Sequence, residues 1–173
     1  MKYAQIRKYD TANGVGIRTT LFVSGCTLNC KGCFNGQYKD FEYGEPWTKE
    51  IEDNFINHIN TQNVQGVSIL GGEPMDQDET LVYLLRRIKE ETTKDVWVYT
   101  GHKFENLVNN FQTLNILKYC DVLVDGPFIE KEKDLRLAFK GSRNQRIINV
   151  SKSLEQHKVI LLDIEEIGLC SNA

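Results

Sequence analysis

Three short apolar runs constrain this chain most: Ile17–Ser24 (IRTTLFVS), Val67–Leu70 and Val96–Tyr99. Each is β-branched or aromatic in character and too short for a helix, which reads as a buried strand. Each also stops abruptly, the first in Gly25-Cys26, the second in Gly71-Gly72 and the third in Thr100-Gly101. Helical patterns separate them. Thr48 can cap a helix in which Ile51, Phe55 and Ile59 recur every four residues. Asp76 and Glu79 make a capping-box-like start for a second helix with Leu81, Leu84, Leu85 and Ile88 on one face. Asn13-Gly14 signals a tight turn back to a short strand near Tyr3–Arg7. Farther on, a helical stretch near Phe104–Tyr119 leads to a strand at Cys120–Asp125. A charged segment, Glu130–Arg146, and two apolar runs, Ile147–Val150 and Val159–Leu162, complete the chain.

Alternating strands and helices with buried strands predict an α/β fold with a mostly parallel sheet and right-handed crossovers. The 173 residues hold too few units for an eight-fold barrel of about 250 residues, so a partial, open (β/α) barrel fits the count. No repeat, linker or boundary divides residues 1–173, which read as a single domain.

Five cysteines are present, and Cys26, Cys30 and Cys33 fall within eight residues. Random placement would produce that spacing only about 0.004 times per chain, so the cluster calls for a chemical cause. No run approaches the roughly 18 apolar residues of a membrane span, and Met1–Asp10 lacks the apolar block of a signal peptide. A cytoplasmic protein is therefore expected, and in a reducing compartment clustered thiols are metal ligands or nucleophiles before they are disulfides. The balance of 21 basic and 24 acidic residues also disfavours a nucleic-acid partner. A structural zinc site would need a fourth ligand, for which His58, His102 and His157 are equal candidates. Three thiolates on one loop would instead hold three irons of a four-iron cluster and leave the fourth open, as catalysis requires.

In parallel α/β folds ligands gather at the carboxyl ends of the strands. The cysteine loop, Gly71-Gly72-Glu73-Pro74 and Thr100-Gly101 all fall there. Gly71 and Gly72 remove two side chains, so a ligand can approach bare backbone, and Glu73 supplies a charge suited to an ammonium group.

The cysteine spacing followed by Gly-Gly-Glu-Pro resembles the radical S-adenosylmethionine superfamily. Lys31-Gly32 departs from the broad pattern, in which an aromatic residue often precedes the third cysteine. It is similar to the activating enzymes of anaerobic ribonucleotide reductase, with glycine before Cys33 and Phe34-Asn35 after it. Asn13–Arg18, Leu21–Gly25, Val96–Gly101, Val122–Phe128 and Gly141–Arg146 resemble the same subgroup, and the likeness covers nearly the whole chain.

That resemblance implies a [4Fe-4S] cluster on Cys26, Cys30 and Cys33, with the open iron bound by S-adenosylmethionine. It implies Gly71, Gly72 and Glu73 at the methionine amino group, Gly32 and Phe34 near the cofactor, and Thr100 as a further contact. The implied reaction is reductive cleavage to a 5′-deoxyadenosyl radical, which takes hydrogen from a glycine of the large catalytic subunit of the reductase. A flavodoxin or ferredoxin would be the electron donor. No acid–base residue is required beyond cluster and cofactor, and a small open barrel would rely on its protein partner to close its mouth. Alternatives are an activase of another glycyl-radical enzyme such as pyruvate formate-lyase, a radical enzyme for a small molecule, and a structural metal-binding interaction module. Arg136, Lys140, Arg143 and Arg146 lie in a stretch without acids, which is either a solvated turn or a grip for a partner or the cofactor carboxylate. Cys120 reads as a core thiol and Cys170 as a dispensable tail residue.

Overall fold

A computed structural model describes residues 1–164 of the chain; the reading of Cys170 lies outside the described residues. Strand β1 (Lys2–Asp10) pairs antiparallel with β2 (Arg18–Val23). Residues 11–17 link them as a loop longer than the tight turn expected. Asp10 organises it by accepting from the Ala12 amide at 2.8 Å and the Asn13 side chain at 2.7 Å. A two-residue strand, β3 (Glu45–Pro46), adds to the outer edge of β1.

Helix α1 (Lys49–Ile59) starts as the sequence predicts, with the Thr48 hydroxyl accepting from the Ile51 amide, and buries Phe55, Ile56 and Ile59. Strand β4 (Gly66–Gly71) follows, then α2 (Glu79–Glu91), whose Leu81, Leu84, Leu85 and Ile88 form the expected buried face. Its cap is Asp78, which accepts from the Thr80 amide at 2.9 Å. Asp76 belongs to a separate short turn, Pro74–Asp76, and bonds elsewhere. Next come β5 (Asp95–Tyr99), α3 (Phe104–Leu107), α4 (Phe111–Leu117) and β6 (Val122–Asp125). The single helix expected near Phe104–Tyr119 is thus two, because the Asn110 side chain caps α4 by accepting from the Gln112 and Thr113 amides. Asparagine there offers the backbone an alternative to continuous helix. Strand β7 (Arg146–Asn149) and α5 (Val150–Glu155) close the described fold, and Val159–Leu162 contributes one bridge, Ile148 to Leu161.

The seven strands form one sheet in the order β3-β1-β2-β4-β5-β6-β7. The pairs β2–β4, β4–β5 and β5–β6 are parallel, while both edges pair antiparallel. The sheet is mixed where the alternation predicts a mostly parallel one. The physical reason is that β1–β2 and β6–β7 lack a crossover helix between them. The central strands are buried on both faces, as crossovers require. One face packs Leu21, Ile69, Val98 and Leu123 under the helices. The other carries a smaller cluster, with Trp97, Val124 and Ile147 against Val15, Tyr99 and Phe139. The uncovered part of that second face is where the cavity opens.

Candidate cluster and cofactor site

The cysteine loop leaves the end of β2 and is tied down at its root. Gly25 N–H donates to the Tyr38 carbonyl at 2.8 Å, and Cys26 N–H donates to the Lys39 carbonyl at 3.0 Å. On its other side the β2–β4 ladder continues past both strands. Gly72 N–H donates to the Val23 carbonyl and Glu73 N–H to the Gly25 carbonyl, each at 2.8 Å. This continuation explains the paired glycines. A Cβ on Gly71, whose φ is +119°, would lie 2.5 Å from the Val23 carbonyl oxygen, and one on Gly72 would collide with the Gly25 carbonyl. Their missing side chains admit the backbone of the cysteine loop as well as leaving a bare wall. Asn35 braces the arrangement by donating to the Gly71 carbonyl at 3.3 Å.

Cys26, Cys30 and Cys33 are free and half-buried, and all three line one cavity of about 500 Å³. Phe34, Gly71, Gly72, Glu73 and Thr100 line the same cavity, so these site residues named from the sequence converge. Its volume falls within the roughly 300–1,000 Å³ of small-molecule and cofactor sites. Gly32 is placed differently. It turns the loop at φ +71° and faces Glu130, whose carboxylate also pairs with Lys31 at 3.5 Å. Phe34 is half-exposed at the cavity edge, tilted against Phe128 with 4.9 Å between ring centroids, and Lys133 lies over its ring.

Glu73 is 2% exposed. Its Oε1 accepts from the Met75 amide at 3.0 Å and its Oε2 from the Gly101 amide at 2.8 Å, which pins the end of β4 to the end of β5. Burial pushes its carboxyl above the ordinary glutamate range, although these amides, the Thr100 hydroxyl and the charge of His102 pull it down. Among the described residues no lysine or arginine pairs with it.

The donor set suits an iron–sulfur cluster with an open iron. Burial, with the Glu73 and Asp76 carboxylates adding to it, pushes the Cys26 thiol up to about 11, although a backbone hydrogen bond at Leu28 opposes the shift. A thiolate at Cys26 thus needs a bound cationic centre to stabilise it. Tyr99, which lines the cavity wall, has a buried hydroxyl with no protein partner among the described residues. Such an orphan is a ready hydrogen-bonding group for a cofactor. Two of the three candidate histidines have neighbours outside the cysteine loop: His58 Nε2 lies 3.1 Å from the Lys8 carbonyl, and His102 Nε2 lies 3.8 Å from Asp76. Among the described residues, no three His, Cys, Asp and Glu side chains converge on the position of a single metal ion.

The basic segment resolves residue by residue. Arg136 and Arg143 close on Asp134 at 2.9 and 3.0 Å, and Arg146 binds both Asp125 and Glu105. Of the four cations only Lys140 lines the cavity, joined there by Arg7 and Lys39. Tyr99 and the bond between Thr27 and Asp76 carry no sequence signal as site features. Their places depend on chain segments far apart in number, and no local spacing marks them. Cys120 is a core thiol, buried and donating to the Ile116 carbonyl at 3.2 Å.

Residues 12–148 match the family described as a 4Fe-4S single cluster domain. The anaerobic ribonucleoside-triphosphate reductase-activating protein of Escherichia coli K12 is 40% identical over 150 residues, 84% of this chain and 96% of that protein. The protein of the same name from Haemophilus influenzae is 41% identical over 152 residues, 85% of this chain and 97% of its own. That of bacteriophage T4 is 32% identical over 160 residues, 91% of this chain and 99% of its own. Similarity of this extent places the chain in the family of anaerobic ribonucleoside-triphosphate reductase-activating proteins.

Proposed function

We propose that this chain is a radical S-adenosylmethionine enzyme that installs a glycyl radical on the large catalytic subunit of anaerobic ribonucleotide reductase. The observation that carries the reading is the shared cavity: three thiols of one loop and a buried carboxylate with no lysine or arginine partner among the described residues face the same space. Cys26, Cys30 and Cys33 would hold a [4Fe-4S] cluster. When bound, that cluster supplies one electron to the sulfonium of S-adenosylmethionine, yielding methionine and a 5′-deoxyadenosyl radical that takes a hydrogen atom from a glycine α-carbon.

The remaining tasks belong to the protein. Glu73 would accept from the methionine ammonium, with the backbone at Gly71 and Gly72 forming the wall beside it. Thr100 would contact the cofactor from the end of β5, and Phe34 would pack against the adenine at the rim. Gly32 would act through the turn it permits between Cys30 and Cys33. Holding the sulfonium beside the electron source lowers the barrier by positioning, so no general base is required. A low-potential flavodoxin or ferredoxin would supply the electron, in the cytoplasm; among the described residues no helix is long and apolar enough to cross a membrane. The curvature would be that of a partial open barrel, with the central parallel strands and the one-sided helix layer supporting it.

The test is anaerobic iron–sulfide reconstitution followed by reductant, S-adenosylmethionine and the reductase. A glycyl radical in the paramagnetic resonance spectrum and stoichiometric 5′-deoxyadenosine are expected, with slow cleavage when the reductase is left out. Absence of 5′-deoxyadenosine with the complete mixture would reject the mechanism.

A further inference from the structure

Asp76 lies three residues beyond the Gly-Gly-Glu motif, where the sequence marks it as a helix start. The structure gives it a different task. Its Oδ2 accepts from both the backbone N–H of Thr27, at 2.7 Å, and the Thr27 hydroxyl, at 2.8 Å. Thr27 directly follows Cys26, so this pair of hydrogen bonds fixes the chain next to a cluster ligand. The Asp76 side chain is largely buried, with 15% exposure. It borders a second cavity of about 410 Å³ whose other lining groups include Met75, Asn106, Asn110 and Gln112, and no lysine or arginine. Among the described residues the one basic group within ion-pair distance of it is His102, with Nε2 3.8 Å from Oδ1.

Resting on the four-iron reading above, we propose that Asp76 is a positioning residue for the cluster, holding the backbone at Cys26 while keeping a negative charge beside it that lowers the cluster's reduction potential. Adding an electron increases the negative charge of a cluster held by three thiolates, and a fixed anion nearby opposes that step. The sulfonium is a poor electron acceptor, so a low potential is what the reaction requires. Glu73 is also near Cys26, but its charge faces the cavity and would be answered by the cofactor ammonium. Asp76 lies outside that cavity and keeps its charge when the cofactor binds.

Reconstituted wild-type protein and three variants would be titrated with dithionite, the reduced cluster being read by paramagnetic resonance. Asp76→Asn keeps an oxygen acceptor for Thr27 and removes the charge. Thr27→Val removes the hydroxyl bond and leaves the charge. His102→Lys sets a permanent cation against Asp76 without touching the Thr27 bonds. Asp76→Asn should make reduction about tenfold more favourable, an upward shift of about 59 mV for a one-electron couple. His102→Lys should shift it the same way by about threefold, and Thr27→Val by less than about twofold. A potential unmoved in His102→Lys overturns the proposal, and so does one unmoved in Asp76→Asn. Equal shifts in Asp76→Asn and Thr27→Val also overturn it, since loop geometry rather than charge would then set the potential. Wild-type protein that takes up no four-iron cluster overturns the four-iron reading, and this inference with it.

Discussion

Two charged side chains are buried at opposite ends of the same parallel strands, and they are treated in opposite ways. Arg18 begins β2 and is 1% exposed. Its guanidinium donates to the Ser68 hydroxyl and the Val67 carbonyl, each at 2.7 Å, pairs with Asp95 at 3.0 Å and lies over the Trp97 ring. Glu73 lies just beyond β4 and meets backbone amides, with no lysine or arginine among the described residues. One charge is neutralised inside the fold, and the other faces the cavity without a lysine or arginine partner among the described residues. The contrast separates a buried charge that closes a structure from one that opens a site.

Removing a thiol tests the open end most severely. Cys30→Ser should cut cofactor cleavage by at least about 100-fold and lower bound iron well below four per chain, measured by iron analysis after reconstitution. The circular-dichroism spectrum should stay native, because the half-buried cysteines lie outside the main core. At the closed end the pattern reverses. Arg18→Met should destabilise the protein by about 2–4 kcal/mol in urea denaturation, because Ser68 and three backbone carbonyls lose their donor while the Asp95 side chain, being partly exposed, recovers water. Iron bound per folded chain should not change. If Arg18→Met instead lost iron without losing stability, the division between the two ends would fail.

Glu73→Gln keeps an acceptor for the Gly101 amide and deletes the charge. S-adenosylmethionine should bind about tenfold more weakly by equilibrium dialysis, and stability should fall by about 1–3 kcal/mol because the single remaining oxygen leaves the Met75 amide without its acceptor. Equal binding would remove Glu73 from the ammonium site. Its raised carboxyl also has a pH signature. A carboxyl raised by folding stabilises the fold fully below its unfolded value, near 4.5, and loses that contribution as pH rises through the folded value. Stability of the wild type should therefore fall over that rise relative to Glu73→Gln, and parallel profiles would contradict the assignment. The smallest effect belongs to Glu105, which Arg146 holds down to about 2. Its contribution is present above pH 4.5 and disappears as pH falls toward 2, so Glu105→Gln should flatten that acid limb slightly.

Much of the site is legible in the chain itself. Cys26, Cys30 and Cys33 announce themselves by spacing, and Glu73 and Thr100 by their position after apolar runs. The core faces of α1 and α2 follow from periodicity alone. The departures share one cause. Asp76 reads as a helix cap because acids near a helix start are usually caps, whereas its partner is Thr27, 49 residues earlier. The Phe104–Tyr119 stretch keeps a helical pattern through Asn110, whose side chain instead caps a new helix. Arg136–Arg146 looks like an unpaired basic surface because its acids, Glu105, Asp125 and Asp134, lie outside the segment.

Sequence alone determined which thiols share a loop, which strands are buried and that the residues lining the cavity follow those strands, since each is a matter of local spacing and pattern. Only the tertiary structure decided that Gly71 and Gly72 make room for the cysteine loop and that Lys140 alone of its segment's four cations lines the cavity. It also decided that Arg18 is neutralised while Glu73 has no lysine or arginine partner among the described residues. Hydrogen bonds and ion pairs depend on distance in space, and the β2–β4–β5 crossovers bring together residues that the chain keeps far apart.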